Sequence, residues 1–189
     1  MSPFEYVSVL ISIIYGLGIT LVLTGVAELI SRWKTIVPFL PYFIWIALVF
    51  VLHIYEWWEH YALRSISSWS LPLFLFVILY PILLFILANL LFPTKWSKKG
   101  IDLKEFYFAT YSKFFLGTIF LAALAIIQNV FLEGYKLQDQ FVQIIVLAVF
   151  SSLLIWRTKN VVIHTLIACI MLLFMLASVI YTSDTLLVQ

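Results

Sequence analysis

Hydrophobic positions along the chain fall in six long runs, each bounded by charged or turn-forming residues. A helix needs roughly 20 apolar residues to cross a bilayer core about 30 Å thick. On that measure the runs predict transmembrane helices over Phe4–Ile30, Pro38–His60, Trp69–Phe92, Leu103–Phe131, Gln140–Trp156 and Val161–Tyr181. The breaks between them are too short to fold alone, so residues 1–189 are expected to form a single all-α domain, an integral membrane bundle of six helices. The opening residues MSPFEY lack the basic region and small-residue cleavage site of a secretory signal, so the first helix is expected to stay in the mature protein.

Composition agrees with that pattern. Of 189 residues, 65% are hydrophobic and 11% charged, with mean hydropathy +1.13, against the roughly 45–50% apolar content of soluble domains. Several function classes fall away. No GxxxxGK[ST] loop is present to cradle a nucleotide. The single cysteine, Cys169, allows neither an internal disulfide nor a CxxC pair. A net charge of +2 resides in the loops rather than on a basic face, which argues against a nucleic-acid partner.

Loop charge sets an orientation. The breaks after the first, third and fifth runs hold Arg32, Lys34, Lys95, Lys98, Lys99, Lys104, Arg157 and Lys159, whereas the opposite side holds only Arg64 and Lys136. Eight basic residues against two place both termini outside the cytoplasm. Trp33, Trp96 and Trp156 then mark the inner interface, and Trp57, Trp58 and Trp69 the outer one. Lys113, early in the fourth run, is expected to snorkel to the inner interface. The segment IDLKEFYFATYSK reads either as lying partly in the headgroup layer or as the start of a long tilted helix. A shift of 100 residues aligns Glu5 with Glu105, Ser12 with Ser112, Ile19 with Ile119 and Leu21 with Leu121, the kind of weak match an inverted three-plus-three repeat would leave.

Three features can carry chemistry. In the first run Ser8, Ser12, Gly16, Thr20, Thr24 and Glu28 recur at every fourth position. Small residues at this spacing form a close helix-packing seam, within the chain or with a second copy or membrane partner. Alternatively they line a solute path, with Glu5 at its outer mouth. Each step of four turns such a stripe by roughly 40°, which suits a helix crossing better than a straight pore wall. The second run ends HIYEWWEHY, where offsets of three and seven put His53, Glu56 and His60 on one face. Imidazole and carboxylate together can hold a proton or cation, or a divalent metal with a fourth ligand from Glu5, Glu133, Asp139 or Asp184. A shared haem is argued against, because His53 and His164 differ in depth by roughly 12 Å. Finally, Pro81 in the third run leaves the Val77 carbonyl without its helical donor, which predicts a kink with an acceptor at membrane depth. Asn89, Gln128, Asn129 and Gln143 sit near predicted helix ends, where amides find headgroups or water. No GxSxG elbow occurs, and no lysine lies deep in a span to hold a retinal-type group.

The segments SPFEYVSVLISIIYGLGIT, HIYEWWEHY and IDLKEFYFATYSKFFLG resemble a recurrent type of small multi-pass membrane protein of bacteria. The resemblance implies a bacterial inner membrane and adds no catalytic residues. From the residues, the expected role is passage or sensing of a proton, cation or small solute, with His53 and Glu56 as an outward-facing site. A metalloenzyme or redox subunit using His53, Glu56 and His60, and a non-catalytic assembly subunit joined through the first helix, are the alternatives.

Overall fold

Several helices begin where a side chain satisfies their free amides. The Ser2 hydroxyl accepts from the Glu5 amide at 3.1 Å while the Glu5 carboxylate accepts from the Ser2 amide at 2.7 Å, a reciprocal cap with Pro3 preset in the first turn. Asp102 caps another helix by accepting from the Lys104 and Glu105 amides. In the computed structural model, which describes residues 2–96 and 100–186 with side chains to residue 181, the helices are α1 (Pro3–Ser31), α2 (Leu40–Glu59), α3 (Leu71–Leu90), α4 (Leu103–Leu132), α5 (Phe141–Trp156) and α6 (Val161–Leu186). Six spans are long and apolar enough to cross a membrane, two of them extended by short 3-10 turns. Lys98 and Lys99 of the loop-charge argument, and the side chain of Asp184, lie outside the described residues.

One short strand pair accompanies the six helices. Ile36–Val37 (β1) pairs in parallel with Ile101–Asp102 (β2), joining the loop after α1 to the loop after α3. Both segments are extended links whose backbone groups would otherwise lack partners, and the pairing supplies them. Gly100 makes it feasible. Its φ is +97°, and a Cβ there would collide with the Thr35 carbonyl oxygen. This end of the bundle carries Arg32, Lys34, Lys104, Arg157 and Lys159, and is called the basic end; the other, with Glu59, Glu133 and Asp139, is called the acidic end.

α1 packs on α3 and α2, α4 on α3 and α5, and α2 on α6, so α2 lies inside the bundle. A three-plus-three exchange would turn the α1–α3 contact into α4–α6 and the α2–α6 contact into α5–α3. Among the described residues α5 and α3 do not pack backbone against backbone, and α4 meets α6 through side chains rather than by close backbone packing, so the close packing does not follow the repeat suggested by the 100-residue shift. Trp45, Tyr42, Phe115, Phe150 and Leu84 are fully buried at the centre. α4 is one continuous helix that includes the IDLKEFYFATYSK segment from Leu103 on, with Leu103, Tyr107 and Tyr111 buried. Lys113 is exposed on its outer face.

Candidate functional site

The face of α2 that carries His53, Glu56 and His60 does turn inward toward α1 and α3, but only two of the three share a space: Glu56 and His60 both line one cavity, while His53 is packed apart from it. His53 is fully buried. Its Nδ1 lies 2.7 Å from the Val49 carbonyl one turn back, so Nδ1 carries the hydrogen and Nε2 is left as an unpartnered lone pair. That edge of the ring rests on Gly18 of α1, where an added Cβ would overlap the imidazole. His53 is thus a wedge at the α1–α2 crossing. His60, the residue that follows the last turn of α2, stacks on Phe4 and lies beside Tyr15 at ring-centroid distances of 6.0 and 6.5 Å.

Glu56 is placed differently. The Tyr80 hydroxyl donates to its Oε1 at 2.8 Å, and Tyr80 is the tenth residue of the twenty-residue α3. The carboxyl is therefore held within one tyrosine's reach of mid-helix height. It forms part of the wall of a cavity of about 460 Å³ between α2, α3, α4, α5 and α6. Glu59, Glu133, Asp139 and Tyr135 line the cavity at the acidic end, and Trp45, Leu48 and Phe114 line its floor. Fourteen residues of α2 separate Glu59 from Trp45, so at 1.5 Å per residue the cavity is roughly 21 Å deep. His53 is not in its wall. At the mouth, partial desolvation and the neighbouring Glu59 carboxylate hold the Glu133 carboxyl above the ordinary carboxylate range. Partial desolvation and the carboxylates of Glu133 and Glu59 push the Tyr135 phenol up in the same way.

The acceptor freed by Pro81 has a partner from another helix. Gln128 Nε2 donates to the Phe76 carbonyl at 2.7 Å and lies 3.4 Å from that of Val77, satisfying backbone that the proline ring leaves open. Gln128 also lines the cavity, as does its chain neighbour Asn129, whose Nδ2 donates to the buried Gln140 Oε1 at 2.8 Å. Placing these amides by their distance from helix ends missed their role, because their partners lie on other segments of the chain.

The small-residue stripe of α1 does not form the internal seam. The buried face of α1 is Val7, Ile11, Tyr15, Gly18, Val22, Gly25 and Leu29. Gly16, Thr20 and Thr24 are exposed, nothing within 4 Å would meet a Cβ on Gly16, and the Thr20 and Thr24 hydroxyls donate to carbonyls of their own helix. Ser8 bonds back to the Glu5 carbonyl, and Ser12 accepts from the Trp57 indole at 3.2 Å. Glu28 pairs with Arg32 at the basic end. The stripe drifts around the helix because a period of four overshoots a turn of 3.6 residues, whereas the buried set mixes steps of three and four.

A second buried polar group lies toward the basic end. His164 of α6 sits among Tyr107, Phe108, Tyr111 and Phe115 of α4, with ring centroids 5.1 to 5.6 Å away. Its Nε2 faces the Thr158 carbonyl at 3.0 Å and so carries the hydrogen, leaving Nδ1 to accept from the Tyr107 hydroxyl at 2.7 Å.

As metal ligands the sequence candidates do not converge. His53 points to Gly18, Glu56 to Tyr80 and His60 to Phe4, and among the described residues no three His, Cys, Asp or Glu side chains form a ligand group. No protein-family model, curated protein or solved structure matches the chain, so its function is read from the geometry of the site.

Proposed function

We propose that this chain is a multi-pass membrane protein of the bacterial inner membrane, with its basic end cytoplasmic and both termini outside, in which the Glu56 cavity takes up a proton or cation for passage or sensing. Six apolar spans and the loop-charge bias support the placement. One observation carries the function: the Glu56 carboxyl is held by Tyr80 in the wall of a cavity opening at the acidic end, among apolar helices. An ionisable group at such depth is costly to keep, which favours a functional role. The site consists of Glu56 with Tyr80, and Glu59 and Glu133 at its mouth; His53, walled off against Gly18, belongs to the scaffold. In proteoliposomes under an imposed gradient, wild-type protein is expected to pass protons or monovalent cations, and Glu56→Gln to reduce flux to that of protein-free vesicles. Undiminished flux in Glu56→Gln would overturn the assignment.

The exposure of Gly16, Thr20 and Thr24 favours a second reading, in which α1 meets another copy or a membrane partner. Gly16→Leu should then change the oligomer size in detergent. An unchanged size would leave that face to lipid.

A further inference from the structure

The cavity holds both kinds of hydrogen-bonding group, but they are unequally committed. Five donors in its wall are already engaged inside the protein. Tyr80 donates to Glu56, Thr118 to the Phe114 carbonyl, Gln128 to the Phe76 carbonyl, Asn129 to Gln140 and Ser178 to the Phe174 carbonyl. The Trp45 indole N–H at the floor is a buried donor without a hydrogen-bond partner among the described residues. Tyr15, His60, Tyr135 and Gln143 add further hydrogen-bonding groups to the wall, but its charge is of one sign: four carboxyl groups, Glu56, Glu59, Glu133 and Asp139, line the cavity, and the described wall contains no lysine or arginine. A carboxylate accepts at two oxygens, so Glu56 has capacity beyond the one Tyr80 bond.

Below this collar the wall changes character. Leu48, Phe114, Met171 and Met175 line the deep part, and methionines adapt their shape to an apolar guest. A bare proton or hydrated metal ion has no use for such a floor, and an anion is repelled at the collar. The size is that of a pocket for a small organic molecule, within the roughly 300–1,000 Å³ typical of ligand sites.

We infer that the cavity binds an amphipathic organic ammonium ion, its apolar body on the Leu48–Phe114–Met175 floor and its charged N–H donors on Glu56 and the acidic collar. This inference rests on the proposal that the cavity is an outward-facing cation site, and names what that site selects.

A matched series tests it. Adamantylammonium, 1-adamantanol and adamantane-1-carboxylate share one apolar cage and differ in the head. Isothermal titration calorimetry on the purified full-length protein in nanodiscs should show the ammonium binding tighter than the alcohol by roughly tenfold or more, with no binding of the carboxylate. Glu56→Gln should remove the preference for the ammonium, and Ala125→Phe, which fills the cavity from the α4 wall, should weaken ammonium and alcohol alike. Equal binding of ammonium and alcohol, no binding of the ammonium, or an undiminished preference in Glu56→Gln would each overturn the inference. Proton or small-cation flux without ammonium binding would overturn it while leaving the proposed function standing. Binding without flux of any cation would retain the ligand class and remove passage.

Discussion

Glu56 and His164 are both polar side chains held inside an apolar bundle, one toward each end, and the protein treats them in opposite ways. At the basic end both His164 nitrogens are engaged, by Tyr107 and by the Thr158 carbonyl, and aromatic rings of α4 pack around the imidazole. Its hydrogen-bonding capacity is complete. Around Glu56 a single hydroxyl donates, the remaining acceptor capacity faces a cavity of about 460 Å³, and three more carboxyl groups follow toward the mouth. A buried group whose partners are all within the protein stabilises the fold and specifies its packing. One with capacity left facing open space is arranged for something else. What separates scaffold from site is where spare capacity faces: at Glu56 it faces open space, whereas the unpartnered Nε2 of the scaffold residue His53 is packed against Gly18.

The comparison can be broken most directly through stability. His164→Ala leaves the Tyr107 hydroxyl and the Thr158 carbonyl without their partner and opens a void among the aromatic rings, at a cost of about 3 kcal/mol. Glu56→Gln keeps size and shape and can still accept from Tyr80, so it should cost less than about 1 kcal/mol. Thermal unfolding in one detergent, followed by circular dichroism, measures both. A Glu56→Gln variant as destabilised as His164→Ala would mean that Glu56 is scaffold too.

The next largest effect separates the two glycines of α1. Gly18→Ala forces a methyl group into the His53 ring and should destabilise by about 2 kcal/mol. Gly16→Ala meets open space and should stabilise the helix by up to about 1 kcal/mol. Opposite signs in the same unfolding assay would confirm His53 as a packing wedge; loss at Gly16 instead would show that the exposed face is occupied by another chain in the sample.

The smallest effect lies at the cavity mouth. Glu133 has a folded-state pKa raised by partial desolvation and by Glu59, so its contribution to stability is full below the ordinary carboxylate range and is lost as pH rises through the raised value. Glu133→Gln carries no such loss. Its melting temperature should match wild type in acid and exceed it at neutral pH, by less than about 0.5 kcal/mol equivalent because solvent screens the site. A variant less stable than wild type at neutral pH would show that Glu133 gains from its charge, through a cation or a donor at the mouth.

Much of the frame was legible in the sequence. The six helices are found within a few residues of the expected runs, because the length of an apolar run and the charges that end it are local properties of the chain. The helix start at Asp102 and the carbonyl freed by Pro81 are local in the same sense, each set by groups within four residues. The short β1–β2 bridge was not legible: two residues of extended chain carry no periodicity, and their pairing joins positions 65 residues apart.

For the site the sequence determined which residue types α2 carries and that His53, Glu56 and His60 share a face. Only the tertiary structure decided that Glu56 meets Tyr80, that His53 meets Gly18 and that Gln128 reaches back to the α3 backbone. The same holds for α1, where the regular stripe through Gly16 is exposed and the less regular face through Gly18 is buried. The physical reason is common to all of these. In a helix that is apolar on nearly every side, hydropathy gives little indication of which face turns inward. That rotation is set by how side chains of neighbouring helices fit and by which polar groups find partners across the contact.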